Sequence, residues 1–389
     1  MSRAVKLGRS IFLAAAALSA APVHAQTSDN GWRWIANANI FAGVNYQHRK
    51  SNDINKFESQ NWFMGMGERP LGRGRLTVHT MFSLEPFTLE DIGSPQVFQT
   101  GETFNNAPLI DYQHPHDLFS TLSMSYVQTA GAWTLTSTAA AVGAPALGPP
   151  PFMHRPSAAE NPQSPLAHHH LDSVHITPGV LTFGAVRSGA GIEASWFRGQ
   201  EPDEDRTDID LGALDSWSVR GSLTRGGWSG QISGARVNEP EPLEPGDMTR
   251  LMASISHVRS GAISTAVMAA WGQNRKSHGT SNGFVFESNM SWLEKNYLYS
   301  RVEFVGKELP HAHDGVAEPV TLSTIGAFTL GYTRDIFSSA LGKLGIGGDT
   351  TMYYVPAELQ ESYGAPLSFH VFLRYRFATP SQAGIEHHH

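Results

Sequence analysis

The 18 histidines of this chain are unevenly placed, and their spacing suits metal coordination. One lies near the N-terminus and three end the chain. Eleven of the other fourteen fall between strand-like runs: His48, His114, His116, His154, His168, His169, His170, His175, His278, His311 and His313. Neutral imidazole is a ligand for copper, zinc and nickel. In His114-Pro115-His116-Asp117 the proline favours an extended backbone, which points residues i and i+2 the same way. Asp117 is then placed to orient one ring from behind. His311-Ala312-His313-Asp314 repeats the pattern, and His168 and His170 follow it with Asp172 and His175 nearby. The expected ligand set is therefore His114, His116, Asp117, His168, His170, Asp172, His175, His311 and His313, holding copper, zinc or nickel. Five of the rings, His114, His116, His168, His170 and His175, are expected to converge on one ion. Met153 beside His154 adds a soft donor. A His-x-His pair is less specific than paired cysteines. Two other readings stay open: hydrogen bonding within packed loops and pH sensing.

Other chemistry is weakly signalled. The run Glu201–Asp210 holds six carboxylates, hard ligands of the kind calcium takes. It lacks the turn glycine and closing glutamate of a calcium loop, so a solvated acidic loop is the favoured reading. The chain contains no Gly-x-Ser-x-Gly, His-Glu-x-x-His or Gly-x-x-x-x-Gly-Lys sequence, and no catalytic residue is assigned.

The elements that must position these residues are short alternating runs. They are expected near 33–47, 58–68, 72–85, 117–130, 132–143, 179–188, 190–199, 213–225, 227–237, 249–259, 262–273, 283–294, 297–307, 321–336, 342–355 and 366–377. In the twelfth, Phe284, Phe286, Met290 and Trp292 oppose Glu287, Asn289 and Ser291. The tenth and fourteenth alternate poorly. Tight Gly-containing turns such as Ala130-Gly131 and Gly226-Gly227 supply the positive φ that hairpins need. They alternate with longer connections at 48–57, 86–116, 144–178, 200–212, 238–248, 274–282, 308–320 and 357–365. A strand crosses a bilayer in about 9–11 residues, and outer-membrane barrels have short periplasmic turns and longer outside loops. The expectation is an all-β fold: a transmembrane antiparallel up-and-down β-barrel of about 16 strands with long extracellular loops. A barrel this wide encloses water, so a loop must fold inward if the passage is narrow. Charges on the polar strand faces, Arg75, Glu193, Arg220, Glu287, Arg301, Glu303, Arg374 and Arg376, are expected to line the pore.

The ends and the composition agree. Arg3, Lys6 and Arg9 precede the apolar stretch Ile11–Ala21 and the small-x-small site Val23-His24-Ala25, the pattern of a cleaved signal peptide. Residues 1–25 are read as that signal, 26–377 as the barrel, and 378–389 as a tail whose final histidines resemble a purification tag. Loss of the three signal cations takes the formal charge from −7 to −10, which argues against a nucleic-acid partner. There is no cysteine, so disulfides contribute nothing in an oxidising periplasm.

The last run places Phe369, Val371, Leu373, Tyr375 and Phe377 on one face, with Ser368, His370, Arg374 and Arg376 opposite and Phe372 the exception. This resembles the C-terminal signature of outer-membrane proteins, apart from the tail beyond it. Leu109–Asp117 and Phe152–Pro162 resemble segments of porin-like Gram-negative outer-membrane proteins of an uncharacterised family. The resemblance implies a location, the bacterial outer membrane reached through the periplasm, and no activity. The partners it implies are outer-membrane lipid, lipopolysaccharide and the barrel assembly machinery. The functional expectation is a porin-like channel for small solutes or ions with divalent metal at its loops. An outer-membrane hydrolase and a closed structural or adhesive barrel are the alternatives, and the oligomeric state is left open.

Overall fold

The computed structural model describes residues 31–241, 246–313 and 316–378. The expected signal peptide, Asp314 and the tail lie outside them. Alternation of lipid-facing and inward side chains drives the chain into strands, and one continuous sheet results. The strands are β1 (Arg33–His48), β2 (Ile54–Glu58 continuing as Asn61–Leu71), β3 (Gly74–Phe82), β4 (Phe119–Ala130), β5 (Trp133–Gly143) and β6 (Thr177–Arg187). Then follow β7 (Ala190–Phe197), β8 (Ser216–Arg225), β9 (Trp228–Val237), β10 (Met248–Arg259) and β11 (Ile263–Lys276). The last are β12 (Gly279–Trp292), β13 (Asn296–His313), β14 (Val316–Ser339), β15 (Gly342–Tyr354) and β16 (Leu367–Ala378). Both parts of β2 pair antiparallel with β1, so they are one interrupted strand. Each later strand pairs antiparallel with its predecessor. The ring closes where β1 meets β16, from Asn37 opposite Ala378 to His48 opposite Leu367.

The two faces are chemically distinct. Outward residues are large and apolar, including Phe183, Ile192, Ile232, Ile255, Phe284, Phe286, Leu330 and Leu373. Trp133 and Trp228 stand beside short turns; Trp196 and Trp217, directly opposed in register, stand at the other end. Two aromatic belts around an apolar band are what a membrane-spanning barrel requires. On β16, Phe369, Val371 and Leu373 face outward, while His370, Phe372 and Arg374 are buried inside. Phe372 breaks the polar pattern because it packs edge-on against Phe41, ring centres 5.3 Å apart.

Two of the expected long connections are strands instead. Pairing on β11–β12 runs to Lys276 opposite Gly279, leaving a two-residue turn that holds His278. Pairing on β13–β14 continues through Leu309–Thr321 to His313–Val316. His311 and His313 thus sit on a long hairpin backbone, with their side chains outside the described residues. His48 likewise ends β1. These segments satisfy their backbone groups by pairing strand to strand, which a polar sequence of this length can do as well as an apolar one.

The remaining volume is filled by the chain itself. Residues 83–118, between β3 and β4, and 144–176, between β5 and β6, fold into the barrel as a plug. They contain only short pieces of structure, among them α1 (Glu85–Thr88) and α2 (His168–Leu171). Val97, Phe98, Leu166, Ala167 and Leu171 of the plug are buried against Met268, Val285, Val305, Leu309 and Ile325 of the wall. A second dry patch joins Leu147 and Val174 to Met248 and Met252.

Candidate functional site

The plug is fixed to the wall by buried charge. Arg155 donates from Nε and Nη2 to the two carboxylate oxygens of Glu287, both at 2.9 Å, and from Nη1 to the Pro150 carbonyl, also 2.9 Å. The same guanidinium pairs with Asp172. Glu287 also accepts from Arg301 at 3.1 Å. On the far side Glu160 of the plug meets Arg374, which pairs with Asp335 as well, and Arg376 at 2.7 Å. Such groups cannot sit unpaired at this depth, and the pairs Arg155–Glu287, Glu160–Arg374 and Glu160–Arg376 cross the plug–wall boundary. Further hydrogen bonds fill in: Lys307 donates to Gln99 at 2.7 Å, the Ala167 amide to Glu303 at 3.1 Å, and Asn274 to the His169 carbonyl at 2.9 Å.

Gly272 and Gly283 stand opposite each other on β11 and β12. The His170 backbone lies on this flat spot. A Cβ added at Gly272 would come within 1.9 Å of the His170 carbonyl oxygen, so only glycine permits the approach.

The histidines divide into two adjoining groups, which touch where the His168 and His169 rings stand 5.4 Å apart. His116, His168 and His175 are neighbours: ring centres stand 5.3 Å apart for His116–His175 and 5.4 Å for His168–His175. Each is held through Nδ1. His116 donates to Glu85 at 2.7 Å, His168 to Asp172 at 2.8 Å, and His175 to the Asp172 carbonyl at 2.6 Å. An acceptor at Nδ1 fixes the proton there and leaves Nε2 with the lone pair. The His175 Nε2 is buried with no hydrogen-bond partner. His114 goes elsewhere: its Nε2 is 2.7 Å from Glu102 Oε1, while Nδ1 donates to the Pro115 carbonyl at 2.7 Å. His169 approaches the same Glu102 oxygen at 3.1 Å. His170 contacts Ser281 of the wall at 2.9 Å.

The five expected rings therefore do not meet around one point. His114 and His116 are captured by different carboxylates, Glu102 and Glu85, so a shared side does not bring them together. His168 and His170 lie on α2, where residues two apart point to nearly opposite sides at 3.6 residues per turn. Asp117 supports no ring; it pairs with Arg206 at 3.2 Å. Asp172 does orient a ring, as its position four residues after His168 allows on one turn. The soft atom nearest the His154 Nε2 is Met81 Sδ at 3.1 Å.

Burial governs the ring protons. It pushes His168 below the ordinary imidazole range, His169 down to about 4, and His170 and His175 well below. His116 moves the other way because Glu85 outweighs its burial. Burial alone would raise Asp172; the Arg155 charge, then His168, hold it below the usual carboxylate range.

The expected pore-lining charges face inward but are engaged. Glu287, Arg301 and Arg374 serve the plug, and Glu303 accepts from it. Arg220 pairs with Glu193 at 2.8 Å and donates to the Gly148 carbonyl at 3.2 Å. Arg75 stands 3.6 Å from Glu68. Between plug and wall, beside His114, His116 and Trp62, a cleft of about 40 Å³ has room for about three waters. In the acidic run, Asp203, Asp208 and Asp210 cluster at the surface, whereas Glu201 turns inward with a buried Oε1 that accepts no hydrogen bond.

No protein-family model matches the chain, and no curated protein matches its sequence. Solved structures do match its fold. An anion-selective porin from Comamonas acidovorans aligns over 89% of this chain and 100% of its own, with TM-score 0.56 and 8% identity. OmpF of Salmonella typhi, solved with daunomycin, aligns over 90% and 99%, with TM-score 0.57 and 7% identity. A loop-deletion mutant of OmpT, an outer membrane protein of Vibrio cholerae, aligns over 89% and 100%, with TM-score 0.51 and 8% identity. The chain has the fold of bacterial outer-membrane porins, a closed antiparallel barrel of sixteen strands.

Proposed function

We propose that the protein is a porin-like channel of the bacterial outer membrane for small solutes or ions, with the plug as its gate. The apolar band between aromatic belts supports the membrane location. The observation that carries the gate is the charged anchorage of the plug, Arg155 on Glu287 and Glu160 on Arg374. A sixteen-stranded barrel leaves an aqueous channel unless something fills it. Here the filling is a separate segment of chain, held by ion pairs and two apolar patches, rather than side chains of the wall itself. The long connections, on this reading, face outside.

Single-channel conductance in a planar bilayer tests the proposal. Deleting residues 90–112, which carry Val97, Phe98 and Gln99 of the plug, is expected to raise conductance at least several-fold. Absence of channel activity in both proteins would point instead to a structural or adhesive barrel. Protease applied to intact cells is expected to cut within 200–212 and not at Gly226-Gly227; the reverse pattern would invert the topology.

A further inference from the structure

Three separate connections meet at one point inside the outer half of the molecule. Glu102 comes from 83–118, His169 from 144–176, and Glu201 from 198–215, between β7 and β8. One ligand atom from each stands within 4.8 Å of the other two. Among the described residues, the only other such group is the exposed Asp203, Asp208 and Asp210 cluster, which shows nothing beyond its own acidity.

Two features set the Glu102 group apart. The first is unspent binding capacity. His169 is buried, and neither ring nitrogen makes a hydrogen bond; the 3.1 Å approach of Nε2 to Glu102 is too poorly aligned to count as one. The Glu201 Oε1 is also buried and accepts no hydrogen bond. Groups left in this way are costly to bury when nothing satisfies them. The second is charge. Two half-buried carboxylates stand within 4.8 Å of each other, and Arg250 lies 3.6 Å from Glu201 while donating to Ser173 at 3.0 Å. His114 is clamped by the Pro115 carbonyl, and its Nε2 stands 2.7 Å from the same Glu102 oxygen.

We propose that Glu102, His169 and Glu201 bind a divalent first-row metal ion that staples the three connections into the plug. The donor set is one imidazole nitrogen and two carboxylate oxygens, without sulfur, which suits zinc and its neighbours rather than copper(I). Atoms within 4.8 Å of one another can share a centre about 2.8 Å or less from each, so closure to about 2.0–2.2 Å moves each by under 1 Å. A fourth position is left for water or for His114 if Glu102 turns. The ion would stabilise the docked plug by mass action, since undocking separates its ligands. This deepens the gate reading: bound metal keeps the channel shut.

The test is zinc titration by calorimetry at pH 7.5 on detergent-purified protein lacking His387, His388 and His389. One ion per barrel is expected. His169→Asn and Glu201→Gln are each expected to weaken binding at least tenfold, and His114→Gln to weaken it by about 10–100-fold as a supporting residue. Heat-modifiable gel mobility confirms that each variant still folds. No saturable binding, or binding unmoved by His169→Asn and Glu201→Gln, overturns the proposal. Loss of binding in His175→Asn alone overturns it too, in favour of the His116–His168–His175 group. Conductance measured with and without zinc keeps the two readings apart: stoichiometric binding in a protein that never conducts supports the site and removes the gate.

Discussion

Replacing Arg155 with Met removes the link that joins the plug to the wall while nearly conserving volume. Arg155 is buried and donates to Glu287 twice, to Asp172, and to the Pro150 carbonyl. Removing one member of a buried ion pair typically costs about 3–5 kcal/mol. Glu287 retains Arg301 at 3.1 Å, which argues for the lower end. Asp172 retains only His168 as a side-chain partner, so most of the cost falls there. About 3 kcal/mol corresponds to about 10²-fold in the docking equilibrium. In single-channel recordings the fraction of time spent open should therefore rise by about 10²-fold. The barrel should remain folded, because its strands and their register do not involve Arg155. Adding Asp172→Asn should recover part of the loss, since the orphaned charge is then gone. An unchanged open fraction in Arg155→Met, in a barrel with normal heat-modifiable mobility, refutes the idea that this guanidinium latches the plug.

Acid should loosen the plug. His168, His169, His170 and His175 have folded pKa values below the released value of about 6.5, so the released plug binds more protons and docking weakens as pH falls through this range. His169 alone, near 4, accounts for about 2 kcal/mol between pH 7 and pH 5. His116, raised by Glu85, opposes this: its contribution is present below about 6.5 and is lost as pH rises through its raised value. A lower open fraction at pH 5 than at pH 7.5 would reverse the sign. Gly272→Ala should displace the plug and spare the barrel, because its Cβ meets the His170 carbonyl at 1.9 Å while its outward surroundings are lipid. Wild-type conductance in that variant would show that His170 is not seated there.

The strand pattern was legible wherever one face met lipid and the other met polar plug or water. Phe284, Phe286 and Glu287 on β12 sort correctly for this reason. The two strands whose alternation blurs are informative in hindsight. On β10, Met248 and Met252 face inward against Leu147 and Val174; on β14, Ile325 and Ala327 face inward against the plug's dry core. Their inward faces carry these apolar residues because the plug is apolar there, with Arg250 standing between the two methionines on β10. A blurred period on a barrel strand thus marks the footprint of a docked segment. The site residues were harder. Histidine abundance pointed to the right segments, but the grouping depended on which carboxylate captured each ring. Nothing in the spacing of Glu102, His169 and Glu201 links them, and Glu201 was masked by the acidic run that follows it.

The wall meets the plug with three unlike surfaces: the charged trio Glu287, Arg301 and Arg374, the dry patch of Met268, Val285, Val305 and Ile325, and the flat glycine pair at 272 and 283. Each accepts one specific part of the plug, Arg155 and Glu160, Phe98 and Leu171, and the His170 backbone. A shift of a few ångströms would unpair the charges, expose the apolar groups and drive His170 off the glycines at once. No intermediate placement satisfies two of the three, and close-packed contacts of this kind switch rather than slide. The plug should therefore leave as a unit. A single barrel in a bilayer is expected to step between two conductance levels, with Arg155→Met changing the time spent at each level and not the levels themselves. A graded series of sub-levels would mean that the three surfaces release independently, and that the plug is not the cooperative element argued for here.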